Sequence, residues 1–549
     1  MSPDPNDRFD REDAPFLSAD SPDHSHAKRR PGNHEVHDAS VQKIRFRLMV
    51  TLFAIVLAVE MGFIMFSGPL IRIYESVTCR KHYREYDPSQ IGADGNVDEK
   101  LCKINEVQTE LAAIQGYMEF FDGLICALMA IPYGLLADRK GRKPVICLCI
   151  PAYAINISIV LLVLWFSDTL PLRTVWLGSL AWFFSGGHVV TFAVVWTMMA
   201  DVTTEDERAT IFFRFGVASM AADFISSAIS SWLMAMNPWI PLLIGMSMAA
   251  VGFLTTLTLP ETKHAFKPRA PEPESPIELS RMSSDEDGEL HRRKSHDYED
   301  DYNATVDEVP ETKPTTKQPP PPTLRARLRM YLSPYVFIFR NRQILLLLVA
   351  FLVYRLSRGS SWFLVQYISL RYKWTLARAN FLVSFKPALS IPLFLFGIPA
   401  LKKHFFRSLT AKEKDLRLAR LSIVCLAIGT LGIGISPNIE MLIPSLMTQT
   451  TGSGFTFLTR SLITTLVKRE ETARLFTVIE ILQSVGNVIA SLSITTVFQL
   501  GLKIGGFWTG LAWMMTSTAF CGVGLSIWSF RIPPTVIVED YDAARVHTS

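Results

Sequence analysis

Gly134-Leu135-Leu136-Ala137-Asp138-Arg139-Lys140-Gly141-Arg142-Lys143 joins two long apolar runs, one reaching Ala137 and the next starting at Pro144. Four Lys/Arg against one Asp, with membrane-length segments on both sides and no room for a soluble domain, mark the stretch as a short cytosolic loop by the positive-inside rule. The chain is therefore read as polytopic. Each flanking run has about 20 residues or more, enough to cross roughly 30 Å of hydrocarbon.

Working outward, apolar runs at 48–70, 111–137, 144–166, 174–199, 210–235 and 239–259 make six helices, and runs at 343–368, 377–400, 418–436, 439–466, 474–500 and 507–530 make six more. The expected fold class is an all-α polytopic membrane protein with twelve transmembrane helices. Composition agrees, since 49% of the 549 residues are hydrophobic and only 19% charged, which is too apolar for a soluble protein of several domains. Charge gathers in the tails, in 75–110 and in 261–342. The net charge of +4 thus reflects basic inner loops, and no nucleic-acid partner is expected.

Between these runs the chain divides into a disordered cytosolic tail (1–43), a first six-helix bundle (44–262), a disordered cytosolic linker (263–323), a basic amphipathic segment (324–342), a second bundle (343–530) and a cytosolic tail (531–549). The linker is rich in Pro, Ser and charge, with Pro319 to Pro322 in a row, and has no apolar period from which to build a core. The basic segment, with Arg325, Arg327, Arg329, Arg340 and Arg342 among Leu, Tyr and Phe, either lies on the anionic leaflet or is a plain collar before the seventh helix. No signal peptide is visible, so the first helix serves as the targeting signal. Both termini then lie in the cytosol and the expected location is the plasma membrane. Neither sequon, Asn156-Ile157-Ser158 in a helix or Asn303-Ala304-Thr305 in the linker, should carry glycan. Membrane lipids are the expected surroundings.

A repeat supports two matched halves. Gly186 and Gly452, Glu205 and Glu471, and Arg208 and Arg474 share one offset of 266 residues, registering helices 4 and 5 on helices 10 and 11. Five of the seven cysteines lie in apolar runs, where a thiol behaves as a small hydrophobe. Cys79 and Cys102 lie in the polar stretch after the first helix. They are either two free thiols or a bridge that contributes about 3 kcal/mol on the outer side.

The pattern Gly-x-Leu-Ala-Asp-Arg-x-Gly-Arg-Lys at 134–143 resembles the loop between helices 2 and 3 of the major facilitator superfamily. Leu259-Pro260-Glu261-Thr262 is similar to the close of that family's sixth helix. The resemblance implies two pseudo-symmetric six-helix bundles that carry a small-molecule solute by alternating access. It also implies that Gly134, Asp138, Arg139, Gly141, Arg142 and Lys143 govern conformational switching, with Asp138 set against the start of helix 11. Two departures stand out: the fourth helix has no Arg, and the fifth lacks the Gly-Pro-x-x-Gly-Gly of drug/proton antiporters. Cys102-Lys103, Val107-Gln108 and the stretch from Gln366-Tyr367 to Trp374 look similar to fungal members that accompany secondary-metabolite pathways. The same outer loop loosely resembles proton-coupled folate carriers.

Charges at depth are functional candidates, because each costs roughly 2.5–3.5 kcal/mol at the bilayer centre. Glu60 and Arg355 lie at equal depth in helices 1 and 7, which line the cavity in this superfamily. They are expected to be either opposed charges at the site, with Arg358 one turn further out, or a bridge joining the halves. Glu119 and Asp122 share one face of helix 2; Asp122 is the expected proton carrier, unless Gln483 or Asn487 merely satisfies it. Asp223 in helix 5 and Lys386 in helix 8 lie near mid-depth on helices that face each other in this superfamily, so a bridge between them would be a gate or a site. Arg208, Arg214, Arg460, Arg474 and Glu480 are expected at a cytosolic gate. His188 is read as packing or titrating, and Trp182, Trp196 and Trp362 as cavity walls or lipid-facing residues.

The sequence has no Gly-x4-Gly-Lys-Ser/Thr loop, no metal-ligand cluster and no Gly-x-Ser-x-Gly elbow. Enzyme chemistry and a cofactor are therefore not expected. A proton-coupled exporter of a small organic solute is the leading expectation. Rival readings are an importer of a nutrient or organic anion, or a non-transporting sensor.

Overall fold

Nothing between Asn33 and Tyr86 stops a helix except Gly68-Pro69, which interrupts without ending it, and α1 runs Asn33–Tyr86. It ends where Asp87 precedes Pro88, since a residue before proline is pushed out of helical geometry. The expected first crossing is shorter; Arg72 to Tyr86 contain no Gly or Pro to break the helix, and it carries on through them. The computed structural model describes residues 33–93, 95–202, 205–259, 342–397, 400, 411–464, 466 and 472–531.

In the first half, α2 (Asn105–Lys140), α3 (Arg142–Trp165), α4 (Gly187–Val202), α5 (Glu205–Met236) and α6 (Trp239–Thr255) follow. The second half holds α7 (Arg342–Trp362), α8 (Leu364–Arg371), α9 (Leu376–Pro392), α10 (Ala411–Ile435), α11 (Ile439–Thr451), α12 (Phe455–Thr464), α13 (Thr472–Ile504) and α14 (Leu511–Ser529). The described residues contain no strand. Among them, nine helices are long and apolar enough to cross a membrane. The whole 263–323 linker and all of the 324–342 segment but Arg342 lie outside the described residues, as do 401–410.

Three crossings expected as single helices are broken. The fourth is a 3₁₀ helix, Leu172–Phe184, joined through Ser185-Gly186 to α4. The seventh breaks at Phe363 between α7 and α8, and the tenth at a 3₁₀ turn, Gly452–Gly454, between α11 and α12. Gly186 and Gly452 are the pair that share the 266-residue offset, so both halves break at matching positions. Gly186 and Gly187 have φ of 75° and 67°, a region that L side chains disfavour.

Lipid tails are as apolar as leucine, so helices associate in a membrane through close packing. Helices α1 and α6 meet backbone to backbone: a Cβ on Gly62 would stand 2.7 Å from Gly245 O and 2.8 Å from Ala249 N. Leu111, Ile114, Val163 and Leu242 form the first half's core, and Leu347, Phe351, Ala419, Ile479 and Ile527 the second's. A third cluster crosses between halves, setting Ala112 and Met234 against Phe363, Tyr367, Phe498 and Trp513. Residues 49–549 accordingly form one compact unit; 1–48 form another, of which the beginning of α1 is described.

Cys79 and Cys102 are joined in a disulfide, Cα to Cα 5.3 Å. It ties the segment after α1 back onto that helix over a small core with Val97 and Val107. This end of the molecule is called the disulfide end below.

Candidate functional site

Carbonyls freed by a helix break need partners in a membrane, and those of the fourth crossing have them. Tyr133 Oη donates to Phe183 O at 2.9 Å, and Gly186 N donates to Trp182 O at 2.8 Å. On the far side Gly187 N donates to Ser185 Oγ at 3.1 Å, and Thr191 Oγ1 to Gly187 O at 2.9 Å.

The 3₁₀ segment is fastened to α2 by three rungs. Arg173 forms a two-point ion pair with Glu110, 2.8 Å at each contact. Trp176 Nε1 donates to Ile114 O at 3.1 Å. Trp182 Nε1 donates to an Asp122 carboxylate oxygen at 2.7 Å. Tyr153 braces the third rung, its ring edge-on to Trp182 at 4.6 Å and stacked on Phe253 at 4.1 Å. Beside the rungs lies an apolar cleft of about 410 Å³ lined by Phe121, Ile125, Trp176, Leu177 and Leu180.

The indole partner of Asp122 is one that sequence spacing missed, because 60 residues separate the pair. Asn487, weighed as that partner, lies one residue away, its Nδ2 3.2 Å from where a Cβ on Gly123 would stand. Glu119 is half-buried one turn earlier on α2, and Glu60 half-buried on α1.

In the second half Lys386 on α9 donates to Gln449 Oε1 at 2.8 Å, and Gln449 Nε2 donates to Thr430 Oγ1 at 3.0 Å. The ammonium group thus rests on a neutral amide whose orientation Thr430 fixes. The structure joins Lys386 to Gln449 on α11; Asp223, the acid set opposite it in the sequence reading, is half-buried on α5. Nearby, α5 and α9 meet through Asn380 Nδ2 donating to Ser231 Oγ at 2.8 Å and through Phe224 against Phe385.

At the opposite end from the disulfide, Gly141 forms the whole joint between α2 and α3, with φ of 106°. That conformation requires glycine. Gly134 is in the last turns of α2, Arg139 is exposed, and Arg142 and Lys143 are half-buried at the start of α3. Arg214 is exposed on α5 and Arg460 half-buried on α12. The side chains of Asp138, His188, Trp196, Arg208, Arg355, Arg358, Trp362, Arg474 and Glu480 lie outside the described residues.

Comparison with known proteins follows the same lines. Residues 112–491 match the Major Facilitator Superfamily. The MFS-type transporter aprT of Aspergillus flavus is 37% identical over 532 residues, 96% of each chain. The MFS efflux pump atnC of Emericella nidulans is 29% identical over 481 residues, 87% of this chain and 86% of the relative. A solved D-xylose-proton symporter superposes with a TM-score of 0.54 at 10% identity, covering 89% of this chain and 98% of its own. With the family match across more than half of the chain and a relative aligned across nearly its whole length, the chain is a transporter of the Major Facilitator Superfamily.

Proposed function

We propose that the protein exports a small organic solute against its gradient by proton-coupled alternating access, with Asp122 as the proton carrier. The observation that carries this reading is the Trp182–Asp122 contact at 2.7 Å, which couples a membrane-depth carboxylate to the broken fourth crossing. A hydrogen bond to a charged acceptor contributes about 1.5–3 kcal/mol, against about 0.5–1.5 for a neutral one. Proton binding to Asp122 would therefore loosen the third rung and free the 3₁₀ segment to shift about Gly186-Gly187. Efflux is favoured over uptake by the relative named as an efflux pump.

The solute would sit between the halves and present an anionic group to Lys386, whose charge has a neutral partner. Glu60, Glu119, Asp223, Arg355 and Arg358 complete the proposed charged lining, and Arg208, Arg214, Arg460, Arg474 and Glu480 the proposed gate on the cytosolic side, worked by the 134–143 loop. In this reading the disulfide end faces outward from the plasma membrane and both termini are cytosolic.

The test is pH-gradient-driven flux in proteoliposomes, comparing wild type with Asp122→Asn. Gradient-driven flux should vanish in the variant while solute exchange persists, and the sign of wild-type flux distinguishes export from import. Flux indifferent to the gradient in both proteins would sink the coupling assignment.

A further inference from the structure

We infer that Glu99 and Gln366 are positioning residues that latch the disulfide end shut during transport, reaching across from one half to the other. Four charges build the latch. Glu75 is fully buried and accepts from Lys103 Nζ at 2.6 Å, Gln108 Nε2 at 2.7 Å and Arg72 Nη1 at 3.3 Å. Glu99 accepts from Arg72 Nε at 3.1 Å and Lys103 Nζ at 3.2 Å. Two cations and two carboxylates thus cancel, as charges so deep must. The disulfide holds this cluster in place, because Cys102 adjoins Lys103 and its carbonyl accepts from Gln108 Nε2 at 3.0 Å.

All those contacts lie within the first half and survive any motion between halves. Two others cross. Glu99 Oε1 accepts from Leu376 N at 2.6 Å, capping the first turn of α9, whose free N–H groups and positive dipole end favour an anion. Gln366 Nε2, from the fully buried Gln366 on α8, donates to Gln108 O at 2.8 Å and to Gln108 Oε1 at 3.0 Å. These bonds must break whenever this end opens. The design places a fixed ionic platform on one half and presses one acid from it against a helix start on the other.

Alternating access requires that loosening this end tighten the opposite one. Losing one cross-half bond to a charged group, as at Glu99, or two neutral ones, as at Gln366, should shift the closed-to-open ratio about tenfold. Hydrogen–deuterium exchange on the purified full chain reads this without solute or proton gradient, for wild type, Glu99→Gln and Gln366→Ala. Arg173→Gln, which breaks an ion pair inside one half, serves as the control.

Both latch variants are expected to speed exchange about tenfold where α5 meets α9 near Ser231 and Asn380, and where α2 meets α13 near Thr109 and Gln499, and to slow it around 134–143. The control should change exchange only near residue 173. Faster exchange confined to 96–108 and 374–380 would mean that the contacts are local supports, and would overturn the proposal. Should Glu99→Gln fail to fold, Gln366→Ala decides alone by the same criterion. The inference rests on alternating access and not on coupling, so an ungraded flux with the exchange response intact removes the proton assignment only.

Discussion

Lys386 shows how a single side chain can narrow a substrate class. A half-buried lysine whose ammonium group rests on Gln449 Oε1 at 2.8 Å has donors left over, and an anion is the partner that best offsets its desolvation. Lys386→Gln keeps a polar side chain within reach of Gln449 and removes the charge. Flux of a carboxylate-bearing solute should then fall about tenfold or more, while flux of its neutral amide isostere is unchanged; equal losses for both would refute an anionic substrate. Sequence reading finds Lys386 from its depth but not Gln449, since spacing alone does not report which residue of α11 reaches α9. Asp122 was found the same way, and its indole partner was not. Glu75, Glu99 and Lys103 read as loop charges in the sequence, yet Lys103, Gln108 and Gln366 all fall in the short patterns that resemble fungal members of the family, and the structure gathers them at one place.

At the scale of an element, the fourth crossing departs furthest from what an apolar run implies. Its hydrophobicity implies one continuous helix but hides a 13-residue 3₁₀ helix, far beyond the usual length of about 3–4 residues for that form. The three rungs to α2 and the satisfied carbonyls at Ser185 to Gly187 account for its persistence, and none is visible as periodicity. Gly187 holds the joint. A methyl group there would overlap Cys126 Sγ and stand 3.4 Å from the Trp182 ring, at a φ of 67°. Gly187→Ala should cost about 1–3 kcal/mol through backbone strain alone, seen as a lower thermal midpoint in detergent, whereas Gly134→Ala, inside α2 with nothing within 4 Å of the added carbon, should raise the midpoint slightly, since helix-interior glycine is about 0.5–1 kcal/mol less favourable than alanine. Equal midpoints for the two variants would show that the break is not held by Gly187.

For the whole molecule, the count of crossings and the duplicated halves were legible because both depend on long-range averages: apolar length, basic loops and one fixed offset. Where the crossings bend was not, because that depends on contacts between residues far apart in the chain. Orientation follows from the same averages and is open to a direct check. Gln90→Cys, in the disulfide-end loop, should react with a membrane-impermeant maleimide on intact cells, and Lys140→Cys only after permeabilisation, each measured against the parent chain; the reverse pattern would invert the proposed topology. The seam where Gly62 and Gly245 bring α1 and α6 together has a mechanical meaning. With only hydrogen atoms between the two backbones, there are no rotamers to absorb sliding, so the pair behaves as one stiff spar. Flexure is thereby left to the fourth and tenth crossings, where the two halves carry matching hinges.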